Sequence, residues 1–274
     1  MKRILTSSVI FLFSITAAAC SYFKPVPEIS PVEDEFQVYS DSRILYKQGM
    51  EEQAGLIASV IDSSIQTIEQ VHQKPFTSKV TVHICDTPKC FARYTKLNER
   101  ISAAVYKTGL FLSPRAFENN RYEIFLTHEL SHLHLFQQIP LYKTIYIPQW
   151  FHEGLAVYAS NGGGADFVSE EKAITFLAEG KHIMPLEKAG LFGKGGLWGN
   201  RLPTNYPTLE DGVIQQHMSY RQSALFVKYL NKDKKVPALL RLLENGDSFK
   251  ASFERVYGVD VQDEWNAFTG QLDK

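Results

Sequence analysis

A pair of histidines four residues apart is the feature that most constrains this chain. His128 and His132 enclose Glu129 in the pattern H-E-x-x-H. The flanking residues are apolar at helical spacing, and residues four apart lie on one face of a helix. Two imidazoles can therefore point at one metal ion, while Glu129 reaches the same side of the helix. The competing interpretation is a chance match, since the chain contains eight histidines.

Zinc suits this arrangement because it accepts imidazole nitrogens and carboxylate oxygens, and in catalytic sites it keeps one position open for water. A catalytic site also needs a third protein ligand. The downstream candidates are His152 and Glu153, in a helix predicted to begin around Pro148. Successive helical residues point about 100° apart, so only one of the two can face the metal. A site closed by His152 or another side chain would hold a structural zinc instead.

A second motif lies at 150–158 and has the form W-x-x-E-G-x-A-x-Y. Together with H-E-x-x-H it resembles the gluzincin zinc metallopeptidases, and more closely the peptidase MA-like group. The resemblance covers roughly residues 36–268 and is most specific across the two motifs. It implies a zincin-like α+β fold with Glu153 as the third zinc ligand and His152 as a neighbour that points elsewhere. It also implies an edge strand beside the substrate groove, for which residues 110–112 are the candidate.

Two further residues receive chemical roles. Glu129 would accept a proton from the metal-activated water and pass it to the leaving amine. The sequence Y-R-Q-S from Tyr220 resembles the Y-x-x-(G/S) that opens a helix in aminopeptidase-like gluzincins. The resemblance implies that Tyr220 donates a hydrogen bond to the oxyanion. Packing of Tyr220 within its helix is an equal alternative, and His217 is a less favoured substitute donor; His134 lies off the metal face.

The first twenty residues have the organisation of an export signal. Two basic residues precede an apolar stretch that is too short to favour a spanning helix, and small residues then run directly into Cys20. This resembles a bacterial lipobox, which implies a signal peptide at 1–19 and lipid attachment at Cys20. Ala17 stands where lipoboxes usually carry Leu. The alternative is a secretory peptide cleaved near Ala19, which leaves Cys20 as a free thiol.

The segment after the signal predicts the cellular location of the protein. Ser21 rather than Asp follows the cysteine, which favours the outer membrane of a diderm bacterium, facing the periplasm. Residues 20–35 contain three prolines and several acidic residues, as expected for an extended tether. The catalytic domain is assigned to 36–274. A formal charge of −1 provides no general attraction for nucleic acid. The expected partners are a membrane, through Cys20, and a peptide or protein substrate; the oligomeric state stays open.

Cys85 and Cys90 form an even pair once Cys20 carries lipid. They flank a predicted turn between a strand and a helix. Export outside the cytoplasm permits disulfides. A small-loop disulfide and two free thiols are both compatible with the sequence, because sequence alone does not set the distance between the cysteines.

The periodicity of apolar residues predicts an α+β chain with a small β-rich N-terminal part, two zinc helices and a helical C-terminal part. We predict helices at 53–71, 88–99, 173–178, 220–230, 236–243 and 263–272. We predict a first strand within 36–46 and further strands at 79–85, 103–106 and 110–112. Asn119 or Asn120 is expected to cap the zinc helix. The segment 180–216, rich in Gly, Pro and aromatic residues, is predicted to be a long loop that either covers the cleft or pads the surface.

The sequence thus supports a lipid-anchored, zinc-dependent endo- or aminopeptidase. The rival is a non-catalytic lipoprotein that keeps the fold and serves as an envelope binding or assembly module. Glu129 argues against the rival, because a binding module does not need a general base. Protein, peptide and cell-wall peptide cross-links all remain open as substrates.

Overall fold

The computed structural model describes residues 35–106, 109–144, 146–181 and 212–272. Over these residues the chain is a mixed α+β structure, as predicted. The strands are β1 (Gln37–Val38), β2 (Ile44–Tyr46), β3 (Val82–Ile84), β4 (Ala103–Tyr106) and β5 (Gly109–Leu112). The helices are α1 (Glu51–His72), α2 (Pro88–Thr95), α3 (Tyr122–Gln138), α4 (Leu141–Thr144), α5 (Gln149–Ala159), α6 (Glu170–Ala178), α7 (Gly212–Leu230), α8 (Lys235–Glu244), α9 (Phe249–Tyr257) and α10 (Val261–Thr269).

Some predictions fall outside the described residues. They are the signal peptide at 1–19, the lipidated Cys20, the tether up to residue 34, and 182–211 of the predicted long loop. No helix in the described ranges is long and apolar enough to cross a membrane.

The described strands form one sheet in the order β1-β2-β3-β5-β4. β2, β3 and β5 run parallel, whereas β1 and β4 run antiparallel to their neighbours. The assignment of residues 110–112 to an edge strand was wrong, because β5 pairs with β3 on one side and β4 on the other. Among the described strands, the edge strand next to helix α3 is β4.

The N-terminal strand prediction also needed correction. The stretch 36–46 forms two short strands, β1 and β2, instead of one. Between them Asp41 accepts a hydrogen bond from the backbone N–H of Arg43 at 3.0 Å, and its own carbonyl accepts the N–H of Ile44. An aspartate that bonds to the backbone two residues later favours a turn, and this turn divides the strand.

Two apolar cores lie on either side of α3. Leu126, Leu130 and Leu133 join the N-terminal core, which fills the space between the sheet, α1 and α3. Leu135 joins the C-terminal core, which is built mainly from α5, α7, α8, α9 and α10. The amphipathic helix predicted at 53–71 is confirmed as α1, whose Ile57, Ile61 and Ile68 are fully buried. Helix α3 therefore lies where the β-rich and helical parts of the chain meet.

Neither asparagine caps α3. Asn119 and Asn120 both have φ of 58° and turn the chain before the helix, and Arg121 occupies the cap position without a side-chain cap bond. Asparagine is one of the few residues that tolerate this left-handed conformation. The preference of asparagine for helix caps and its preference for turns compete here, and the turn is formed.

Helix α7 begins eight residues before the predicted start. Ile214 packs against the C-terminal core and Met218 is fully buried, so the additional turns also present apolar side chains inward. Tyr220 consequently lies inside the helix instead of opening it. The last residues of the predicted loop, 212–216, are helical.

The structure places Cys85 and Cys90 in a disulfide, with the two Cα atoms 5.6 Å apart. Thr87 caps α2 between them, since its hydroxyl accepts the backbone N–H of Cys90 at 3.1 Å. Of the two states left open by the sequence, the bonded one is present.

Candidate metal centre

Helix α3 presents His128 and His132 on one side, as their spacing predicts. The two Nε2 atoms are 3.1 Å apart and the ring centroids are separated by 4.8 Å. Both side chains are largely buried, with 7% and 12% of their surface exposed. Two imidazole nitrogens that face each other at this distance can bind the same ion.

Helix α5 brings Glu153 to the same point. Its Oε2 lies 3.4 Å from Nε2 of His128 and 3.6 Å from Nε2 of His132. One ligand atom from each of the three residues lies within 4.8 Å of the other two. We call His128, His132 and Glu153 the metal cluster; it could hold a metal ion.

Gly154 allows α5 to approach α7 closely. A Cβ at this position would lie 2.7 Å from the carbonyl oxygen of Ser223, a backbone atom that cannot rotate away. Any larger residue would push the helices apart. Gly154 therefore has a packing function: it fixes the position of α5, and with it the position of the Glu153 carboxylate relative to α3.

The carbonyl of Gly163 orients the first histidine. The Nδ1–H of His128 donates to this oxygen at 2.8 Å, so its Nε2 carries a lone pair and faces the cluster. Histidines that bind metals commonly donate their other ring N–H to such an acceptor. The sequence analysis treated the glycines after α5 only as the end of that helix and missed this contact.

Glu129 lies beside the metal cluster on α3 and keeps part of its surface exposed. Burial raises the pKa of this carboxyl and the charge of Glu153 adds to the rise, although the two imidazoles oppose it. The backbone N–H of Val105, on edge strand β4, donates to the carboxylate. A carboxyl group with a raised pKa is suited to exchange protons near neutral pH.

Glu153 and His132 change each other's pKa within the metal cluster. Burial raises the pKa of Glu153, but the adjacent imidazoles of His128 and His132 outweigh it and hold that pKa far below its ordinary value. Burial lowers the pKa of His132, but the hydrogen bond and negative charge of Glu153 outweigh this, and the pKa is raised. The carboxylate is therefore ionised and supplies the negative charge that a bound cation needs.

Tyr220 reaches the metal cluster from α7. Its hydroxyl is hydrogen-bonded to Glu153 and accepts the side-chain amides of Gln149 and of Gln216, the latter at 3.1 Å. Burial raises the pKa of this phenol well above its ordinary value, and the charge of Glu153 adds to the effect. The hydroxyl therefore stays protonated and donates to the carboxylate. Sequence reasoning missed the two glutamines, which no motif marks.

The other candidate histidines have different partners. His152 is fully buried and its Nε2–H donates to the carbonyl of Thr144 at 3.0 Å, while its Nδ1 has no hydrogen-bond partner within the described residues. Burial lowers the pKa of His152 to about 4. The ring of His217 lies 4.6 Å from the tilted ring of Phe167, and its Nδ1 accepts the backbone N–H of Phe167 at 3.2 Å. Neither residue joins the metal cluster.

The donor set of two imidazoles and one carboxylate is compatible with zinc. These are the ligand types of a catalytic zinc site, in which water occupies the fourth position. The lone pair on His128 and the ionised Glu153 both point inward, as the group requires. Comparison of the chain with models of protein families and with curated proteins gives no match. The interpretation of the centre therefore depends on its own geometry.

Proposed function

We propose that this chain is a zinc-dependent metallopeptidase of the gluzincin type with a zincin-like fold. The observation that carries the proposal is the convergence of His128, His132 and Glu153 from two helices, with Glu129 beside them. A purely structural cluster would not need a second carboxyl group beside it that is partly exposed and has a raised pKa.

Each residue has a separate task in the proposed reaction. His128, His132 and Glu153 hold the ion, which when bound acidifies a water molecule and polarises the scissile carbonyl. Glu129 accepts the proton of the attacking water and delivers it to the leaving amine. The hydrogen bond from Val105 holds the Glu129 carboxylate beside the edge strand.

Tyr220 is the proposed donor to the oxyanion. Its hydroxyl already contacts the metal cluster, because it accepts hydrogen bonds from two side-chain amides and donates to Glu153. A donor set in place before the reaction stabilises developing charge without reorganisation. To serve in this way the hydroxyl would exchange the carboxylate for the oxyanion.

The substrate is proposed to lie along β4. This strand pairs only with β5 among the described strands, so its outer edge presents backbone groups to an extended peptide. The carboxylate of Glu129 is bonded to Val105 on the same strand. A peptide added at this edge would pass directly over the proposed catalytic residues. We further propose attachment to the periplasmic side of the outer membrane through lipidated Cys20.

Metal content and cleavage test the proposal together. The full-length chain, purified in detergent, is expected to contain about one zinc by elemental analysis and to cleave members of a broad peptide library. Glu129→Gln should keep the zinc and lose about 10²- to 10⁴-fold in cleavage rate, because only the proton transfer is removed. Glu123→Gln is the matched control, since this exposed acid lies in the first turn of α3 and does not belong to the metal cluster.

Each other outcome has a clear meaning. Zinc with no cleavage by either protein would favour the non-catalytic binding module. Full activity in Glu129→Gln would contradict the proposed base. Absence of zinc would mean that the metal cluster is not a working site.

A further inference from the structure

The loop that follows α5 contacts the metal cluster on one side and α7 on the other. Gly163 in this loop supplies the carbonyl that accepts the Nδ1–H of His128. Residues 162–168, which we call the collar loop, continue from there toward α6. Whatever fixes the collar loop therefore also fixes one metal ligand.

Arg221 holds the collar loop from α7. Its Nε donates to the carbonyl of Val168 at 3.0 Å, and its Nη2 donates to the carbonyl of Ala165 at 3.1 Å. The guanidinium thus bridges two carbonyls three residues apart. Arginine suits this task because its donors have a fixed planar arrangement, whereas lysine has a single rotating ammonium group.

The collar loop has little room to move between its two neighbours. Gly162 has φ of 116°, and a Cβ there would lie 2.9 Å from the Arg221 guanidinium. Gly164 has φ of 80°, and a Cβ there would lie 2.8 Å from the His128 ring. The loop backbone is therefore packed directly between the guanidinium and the imidazole. A movement of the Arg221 guanidinium would shift this backbone and with it the His128 ring.

A second attachment ties the loop to α3. Asp166 in the collar loop forms an ion pair with Arg121, which precedes the first turn of that helix. Arg121 also lies over the ring of Phe167, with the guanidinium carbon 5.9 Å from the centroid. These contacts hold the middle of the collar loop, while Arg221 holds the carbonyls of Ala165 and Val168.

We propose that Arg221 is a positioning residue for metal binding. It holds the collar loop so that the Gly163 carbonyl keeps His128 in the tautomer and orientation that direct Nε2 at the ion. Arg221 touches neither the ion nor the substrate in this proposal. The inference rests on the proposed metal site, but it concerns a contact that the H-E-x-x-H motif does not include.

Zinc affinity is the first measurement. Arg221→Met should weaken zinc binding about 10- to 100-fold, the usual effect of losing a group that supports a metal-binding histidine. Arg221→Lys should fall between Arg221→Met and the wild type, because the charge remains and one of two hydrogen bonds is restored. Lys228→Met is the matched control: it removes a cation from the same helix, where its ammonium pairs with the exposed Glu170. It should leave zinc affinity unchanged.

The tautomer of His128 is the second measurement and needs no metal. Nitrogen-15 shifts of the metal-free wild type should show a protonated Nδ1, whereas Arg221→Met should show a mixture of tautomers. Far-UV circular dichroism establishes that each variant is folded; if Arg221→Met fails to fold, Arg221→Lys decides. Zinc affinity within twofold of wild type, or an unchanged His128 tautomer, in the folded variant would overturn the inference. If the wild type binds no zinc, the proposed function fails, and the nitrogen-15 shifts still decide the role of Arg221.

Discussion

Helix α3 carries histidines on two sides, and the partners of these histidines differ in kind. Toward α5 lies the metal cluster of His128, His132 and Glu153. Toward α1 lies a second group of buried residues, His72, Ser131 and His134, which we call the buried network. Because both groups share one helix, their comparison isolates what the partners contribute.

The buried network is a chain of complete hydrogen bonds. Nε2–H of His134 donates to the carbonyl of Lys74 at 2.9 Å, which leaves its Nδ1 as an acceptor. Nδ1–H of His72 donates to that Nδ1, also at 2.9 Å. Nε2 of His72 then accepts the Ser131 hydroxyl at 3.1 Å. Both imidazoles are neutral, and each ring nitrogen has a partner.

In the metal cluster, by contrast, imidazole nitrogens and an ionised carboxylate oxygen converge on one point. His132 and His134 are only two residues apart on the same helix, so histidine spacing alone does not separate the two groups. The difference lies in the neighbouring helices: α5 supplies Glu153 on one side, and α1 supplies His72 on the other. A metal site thus requires converging acceptors, whereas a structural network pairs each acceptor with a donor.

Removing one histidine from each group gives the largest expected contrast. His132→Ala should lose nearly all of the proposed zinc, expected at about one per chain, because it removes one of the three proposed ligands. His72→Ala should keep the zinc but lower the free energy of unfolding by about 3 kcal/mol, because a cavity forms and Ser131 and His134 lose a buried partner. Elemental analysis and urea unfolding measure the two effects. Loss of zinc in folded His72→Ala would show that the groups are not independent.

Gly154→Ala should affect the metal cluster but spare the buried network. The added methyl group would contact the Ser223 carbonyl, so the helices must separate at a cost of about 1–3 kcal/mol, and Glu153 moves with α5. Zinc affinity should fall together with stability. Gly55→Ala is the matched control: it lies within α1, where the nearest atom is the movable Tyr39 hydroxyl at 3.3 Å. It should raise the free energy of unfolding by about 0.5–1 kcal/mol.

The buried network should produce the smallest effect, a loss of stability in mild acid. Burial lowers the pKa of His72 and of His134. The unfolded histidines bind protons below about pH 6.5, whereas the folded ones do not. The free energy of unfolding therefore keeps its full value above that pH and falls as the pH approaches the pKa of the folded protein. Each histidine should cost about 1 kcal/mol between pH 7.5 and 5.5.

Urea unfolding with excess chelator measures this dependence without a contribution from bound metal. His72→Gln should reduce the loss of stability between the two pH values, because one titrating group is removed. His83 and His152, whose pKa values burial lowers to about 4, contribute in the same pH range and remain in the variant. His132 and Glu129, whose pKa values are raised, oppose this loss in both proteins, so the comparison between them is the test. A loss in His72→Gln as large as in the wild type would contradict the neutral network.

Local periodicity accounts for the parts of the fold that sequence predicted well. Helix α1 and the C-terminal helices follow from apolar residues at helical spacing, and β3, β4 and β5 follow from short apolar, β-branched runs. Apart from the early start of α7, the main errors occurred where two local preferences compete or where strand pairing involves residues distant in sequence. Asn119 and Asn120 formed a turn instead of a cap, and the strand order placed β4 rather than β5 at the edge.

The sequence by itself determined that His128 and His132 share one helix face, with Glu129 beside them, because that relation depends only on the helical repeat. Only the tertiary structure decided that Glu153 meets them, that His134 joins His72 instead, and which backbone groups complete the centre. Those groups are the Gly163 carbonyl and the Val105 N–H. Their positions depend on how α5, α7 and β4 pack against α3. Every residue has a backbone carbonyl and every residue except proline has a backbone N–H, so no side-chain pattern identifies these two groups.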